Sequence, residues 1–182
     1  LDEEELSRCR LLTLFTTWGV CACMMERGHV LNGRDALIGE IGHMQIADCP
    51  EKLCGCGKRH CLESAVRLDH LHQLLMTEKA SWLEQEPLTF QSLFTHSRQG
   101  DPAARKIVEY LARCYASALH NLSLCYNQEA VVFQGDMAWA DPYFDQCLKR
   151  ELDEFRYYPE GEWLTTRYDR RELSTLAARG DA

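Results

Sequence analysis

No stretch of this chain is apolar for long enough to cross a bilayer. The longest runs, such as Ala130-Val131-Val132-Phe133, fall far short of the about 20 residues that a spanning helix needs. A basic, then apolar, secretory start is also missing, because the chain opens on Leu1-Asp2-Glu3-Glu4-Glu5. Nor is there a basic run with interleaved aromatics. The net charge of −8 gives a field that repels phosphate backbones, which argues against DNA binding by this chain alone. Arg167, Arg170 and Arg171 read as a solvated face. Repeats and low-complexity linkers are absent. A cytoplasmic location and no membrane partner are expected.

What is present has ordinary globular proportions. Apolar residues make up 46% and charged residues 26% of 182 residues, enough for one domain with a substantial core. Ten cysteines without an export signal point away from a disulfide scaffold and toward metal ligation for some of them. The others, Cys9, Cys21, Cys23, Cys49, Cys114, Cys125 and Cys147, mostly sit in apolar or helical contexts, where a thiol packs as a small hydrophobe. Cys21 and Cys23 form a second C-x-C, with both thiols on one strand face and no further ligand at a motif spacing; core packing is expected.

The periodicity predicts an α/β pattern. Leu11–Phe15 and Val20–Met25 read as short strands separated by Thr16-Thr17-Trp18-Gly19, and Arg27-Gly28 and Asn32-Gly33 supply turn chemistry, the second suited to positive φ. A helix is expected from Leu62 to about Met76, and another around Phe90, Leu93 and Phe94, capped by Thr89 and closed by Gly100. Asp101 and Pro102 mark the start of a long helix to about Tyr126, its apolar face carrying Ala104, Ile107, Val108, Leu111, Tyr115, Ala118, Leu122 and Cys125. A buried strand over Ala130–Phe133 ending at Gly135, a helix from Pro142 to Tyr157, a strand over Glu162–Thr166 and a helix from Glu172 to Ala178 complete the pattern. Trp139, Tyr143, Phe144, Tyr157 and Tyr158 read as exposed-looking aromatics that could serve a partner or pack.

One segment carries chemistry. Gly39-Glu40-Ile41-Gly42-His43 is followed by Cys54-Gly55-Cys56-Gly57-Lys58-Arg59-His60-Cys61-Leu62-Glu63, which places one histidine and three cysteines within nineteen residues. Cys3His is a standard ligand set for a closed structural zinc, so His43, Cys54, Cys56 and Cys61 are the expected ligands, with His60 the alternative nitrogen donor. A closed site has no vacancy for water, so the metal would hold the glycine-rich loop of residues 43–61 in place rather than catalyse. Glu40, His43 and Glu63 form a polar set suited to a polyol: carboxylates accept from hydroxyls, and a metal-bound imidazole keeps its second nitrogen as a donor. The bland alternatives are that Glu40 caps a helix and that Glu63 pairs with Arg59 or Arg67.

Read as E-x-G-H, ten residues, then C-x-C-G-x-x-x-C-x-E, this stretch resembles the signature of the ROK family, which contains bacterial sugar kinases and sugar-responsive repressors of the NagC/Mlc/XylR type. His60 departs from the pattern, which usually has glycine there. The resemblance implies an actin-like (ribonuclease H-like) ATPase-type lobe with an inserted zinc loop, hexose contacts from Glu40, His43 and Glu63, and assembly into a homo-oligomer. It further implies that residues 1–182 are the C-terminal lobe, excised from a chain whose first lobe and DNA-binding domain lie upstream. In sugar kinases of the family, the first hairpin holds phosphate-binding glycines; here Cys21 and Cys23 occupy those positions. Phe133-Gln134-Gly135-Asp136 lacks a paired glycine, and Ser174–Gly180 lacks a glycine-rich helix start, so side chains obstruct phosphate approach. The expected function is the effector-binding and oligomerisation region of a sugar-responsive regulator. Its effector would be a sugar or sugar phosphate, or in some members a phosphotransferase-system protein. The rival is an ATP-dependent sugar kinase, and nothing in the chain decides whether it is an enzyme.

Overall fold

A computed structural model describes residues 4, 8–35, 37–47, 52–155 and 164–171. Within them, strands β1 (Arg10–Thr16), β2 (Val20–Glu26), β3 (His29–Val30), β4 (Ala130–Gly135) and β5 (Thr165–Asp169) form one mixed sheet in the order β3-β2-β1-β4-β5. β1, β2 and β3 pair antiparallel through short turns, as consecutive strands can. β4 and β5 join parallel to β1, which requires the long helical crossover that the intervening sequence supplies.

That crossover contains α1 (Leu62–Val66), α2 (Leu68–Thr77), α3 (Phe90–Gln99) and α4 (Pro102–Cys125), and α5 (Pro142–Phe155) links β4 to β5. The single helix expected from Leu62 is broken at Arg67, whose ψ of 141° is extended and ends α1. Helix α3 starts at a capping box between Thr89 and Ser92 and ends at Gly100 in the left-handed region, φ 89°. Asp101 caps α4 by accepting from the Ala104 amide at 2.8 Å. The last strand lies later than expected, over Thr165–Asp169. Tyr157, Tyr158 and the helix expected from Glu172 lie outside the described residues.

The α4 face is buried nearly as read, Cys125 excepted, which is exposed. Tyr115, Phe133, Phe144 and Phe94 meet edge to face beneath the sheet, with Tyr115–Phe133 and Phe133–Phe144 centroids 5.6 and 5.8 Å apart. Phe144 is therefore core, and Trp139 and Tyr143 pack against it, because α5 lays its apolar stripe on α4 rather than toward solvent. Two further corrections concern the hairpin. The tight left-handed turn falls at Arg27-Gly28, with φ of 52° and 77°, and Gly33 is not left-handed. Cys21 is exposed and Cys23 half-buried instead of core, because the described residues leave the face of β2 that carries them largely uncovered.

Candidate metal centre and the cleft beside it

The first strands position the site. After β3 the chain returns along β2, and the Ala22 amide donates to the Gly39 carbonyl at 2.8 Å, fastening the segment that ends in the 3-10 turn Ile41–His43. The glycines of Gly39-Glu40-Ile41-Gly42-His43 have a steric cause. A Cβ on Gly39 would fall on the Ala22 carbonyl oxygen, and one on Gly42 on the Val20 carbonyl oxygen. Bare backbone at both positions lets His43 approach the sheet closely.

The cysteine loop is then clamped. Gln45 bridges Cys61 and Leu53 bridges Arg59, while the Cys54 amide donates to Lys58 O at 2.8 Å and the Ile46 amide to His60 O at 2.9 Å. His60 sits at φ 66°, in the region where a side chain is strained. That explains why glycine suits this position. His60→Gly is expected to raise stability by about 0.5–1 kcal/mol, the strain relief less the added unfolded-state entropy; a rise in the urea midpoint checks it.

These constraints bring His43 and Cys54, Cys56 and Cys61 together, with all four ligand atoms within 4.8 Å of one another. His43 Nδ1 lies 3.6 Å from Cys54 Sγ, and Cys56 Sγ lies 3.7 Å from Cys61 Sγ. A tetrahedron with Zn–S near 2.3 Å and Zn–N near 2.0 Å has edges of about 3.8 and 3.5 Å, so the donors and these spacings fit a zinc-sized ion. Cys54 and Cys61 are buried. Without an ion, burial pushes the Cys61 thiol up to about 12, whereas the Lys58 backbone amide lowers Cys56. Binding a cation here must therefore release protons. His60 is not among the four.

Of the expected polyol contacts, Glu40 and His43 stay adjacent, with His43 Nε2 3.9 Å from Glu40 Oε2. Glu40 precedes the 3-10 turn but its side chain makes no capping bond. Glu63, on the first turn of α1, lines a cleft of about 620 Å³. Its Oε1 accepts from Cys54 Sγ at 3.8 Å, and its Oε2 lies where a Cβ on Gly19 would come within 2.6 Å. The carboxylate is thus held between the cysteine loop and bare backbone of the first hairpin. Arg67 pairs instead with Asp69, at 3.2 Å.

The remaining cleft residues include Thr16, Thr17, Trp18, Arg67, Asp69 and Asp136, none of which the sequence singled out as a contact. The available signal was topological. β1 and β4 run parallel with Thr16 registered on Gly135, so their carboxyl ends open side by side, where ligands of open α/β sheets bind. Gly135 closes that junction at φ 69°, and a Cβ there would strike Thr16 O.

Comparison with known proteins agrees with this architecture. Over 147 residues the chain is 27% identical to the DNA-binding transcriptional dual regulator NagC of Escherichia coli K12, covering 76% of this chain and 36% of the relative. It is 29% identical over 130 residues to an N-acetylmannosamine kinase of Yersinia pestis, covering 71% and 42%. The chain thus spans well under half the length of these curated relatives. Among solved structures, a ROK hexokinase from Thermus thermophilus superposes with a TM-score of 0.68 at 26% identity, over 92% of this chain and 53% of that one. A ROK-family transcriptional regulator homologous to the E. coli Mlc protein gives 0.69 at 23% identity, over 87% and 41%, a likeness of fold. The mixed α/β sheet is therefore the actin-like sugar-kinase architecture. Among the described residues no helix is long and apolar enough to cross a membrane. The sequence pattern of one family matches residues 5–172, nearly the whole chain, and by that extent the chain belongs to the ROK family.

Proposed function

We propose that this chain is the effector-binding and oligomerisation region of a sugar-responsive transcriptional regulator, held in shape by a structural zinc on His43, Cys54, Cys56 and Cys61. It would be the C-terminal lobe of a longer cytoplasmic protein that reaches DNA through another domain. The observation that carries this reading is the pairing of a Glu63 carboxylate fixed at the cleft with side chains on β2 where a kinase of the family needs bare backbone. Cys21 is exposed and Cys23 half-buried there, so each puts a side chain at a position where the family resemblance implies a glycine. A sugar bound at Glu63, with Glu40 and His43 as further contacts, would shift the balance between DNA-competent and DNA-incompetent arrangements of a homo-oligomer; in some settings a phosphotransferase-system protein would do so instead. The zinc supplies no reaction step. It fixes the loop that positions Glu63, whose Oε1 touches Cys54.

The second reading, a ROK sugar kinase, draws on the likeness to N-acetylmannosamine kinase and on Gly135, which keeps a left-handed backbone beside the cleft. Calorimetry separates the two. A panel of hexoses and N-acetylhexosamines is expected to give saturable binding that Glu63→Gln weakens by about tenfold or more, through loss of a charged hydrogen-bond acceptor. Metal content should stay unchanged. ATP–Mg is expected to give no heat and no phosphorylated product; turnover by this protein would establish the kinase instead.

A further inference from the structure

The charge on the cleft wall discriminates between possible effectors. The wall carries three carboxylates, Glu63, Asp69 and Asp136, and one cation, Arg67. That cation is committed. Arg67 Nε sits 3.2 Å from Asp69 Oδ1, and Lys52 Nζ closes on Asp69 Oδ2, so the two cations at this rim converge on a single aspartate. Both contacts lower the Asp69 pKa, the Lys52 hydrogen bond most.

Among the described residues, no cation pairs with Glu63 or Asp136 in this way. Glu63 Oε1 contacts Cys54 Sγ, a proposed metal ligand, and Asp136, half-buried, has its pKa raised by burial. Two uncompensated carboxylates in a partly desolvated cleft give a negative field that is focused by the low-dielectric wall. Carboxylates accept hydrogen bonds from hydroxyls, and a phosphate dianion offers them none. Asp136 follows β4 and Glu63 opens α1, so the two reach the cleft from different elements and can engage different hydroxyls of one ring.

The rim adds an apolar face. Trp18, at the turn between β1 and β2, is 98% exposed and lines the same cleft. A flat aromatic beside fixed acceptors is the composition of a site for an amphipathic ring. Building on the sugar-binding reading above, we propose that the cleft selects an uncharged pyranose, with Trp18 as the stacking face and Asp136 as a second hydroxyl acceptor opposite Glu63. It rejects the phosphorylated form of the same sugar, and it rejects nucleotides for the same reason.

The test uses the whole protein and titrates N-acetylglucosamine, N-acetylmannosamine and glucose against their 6-phosphates, by calorimetry and tryptophan fluorescence. Each neutral sugar is expected to bind at least about tenfold more tightly than its phosphate, and the gap should shrink as salt screens the repulsion. Asp136→Asn should narrow that gap at least about threefold with melting temperature and metal content unchanged. Trp18→Phe should retain neutral-sugar affinity, and Trp18→Ala should lose about tenfold of it. Tighter binding of the 6-phosphates would overturn this inference and leave the sugar-binding reading standing. Failure of both forms to bind at millimolar concentration would overturn both. A gap indifferent to Asp136→Asn would remove Asp136 from the site.

Discussion

Verified removal of metal from the protein is expected to raise the rate of proteolytic cleavage between residues 43 and 61 by at least about tenfold while most of the far-ultraviolet dichroism survives. On the proposed reading, the ion would supply the loop's order. The secondary structure of the loop's described residues from 44 to 61 is limited to two isolated bridges, Gln45 with Cys61 and Leu53 with Arg59. It contributes two buried thiols, Cys54 and Cys61, that lose their purpose once the ligand set is broken. The main sheet and the aromatic cluster around Tyr115, Phe133 and Phe144 lie outside the loop and rest on their own burial. Coordination free energy for structural zinc in short peptides is about 10–16 kcal/mol, and here only the part spent on ordering the loop is at stake. Cys61→Ser should accordingly destabilise by about 3–5 kcal/mol, at the upper end for a single change that breaks a buried site. Elemental analysis should find one zinc per chain in the native protein and less in this variant. Unchanged protease resistance after metal removal would rule out a structural role for the ion.

Replacing Gly39 by alanine is expected to cost about 3 kcal/mol, with loss of metal following from the displaced His43. Two independent terms add. A residue at φ 89° is left-handed, which costs an L side chain about 1–2 kcal/mol, and the new Cβ would land on the Ala22 carbonyl, an overpacking cost of about 1–3 kcal/mol. Gly28→Ala isolates the first term, because Gly28 has φ 77° and nothing lies within 4 Å of where its methyl group would stand. It should lose only about 1 kcal/mol. Urea melts of both variants check the difference, and equal losses would mean that contact with β2 contributes nothing at Gly39.

Much of the local structure was legible because short-range chemistry dictates it. Thr89, Gly100, Asp101 and Pro102 each satisfy or terminate a helix end by a mechanism confined to a few residues. The cluster of candidate donors was legible for the same reason, since three of its members lie within eight residues and closed zinc sites draw on few residue types. Errors arose where a neighbouring element decides the outcome. Apolar content alone carried the helix from Leu62 past Arg67, yet Arg67 turns extended and sends α2 off in a new direction. Phe144 looked exposed on its own helix, and only the docking of α5 on α4 buries it. Cys21 and Cys23 looked like core on a two-residue alternation, but whether a strand face is covered is not written in that strand.

By itself, then, the sequence determined the family, the order of elements, the caps and the identity of the candidate donors to a metal, since each depends on residue type and spacing. The tertiary structure decided the cleft. Thr16 and Asp136 lie far apart along the chain and meet because β1 and β4 run parallel with their carboxyl ends in register. Gly19 and Glu63 meet because the cysteine loop folds α1 back onto the first hairpin. Which carboxylates are paired with cations follows from those long-range meetings, where Lys52 and Arg67 settle on Asp69 and, among the described residues, none pairs with Asp136. Spacing along the chain carries no record of them.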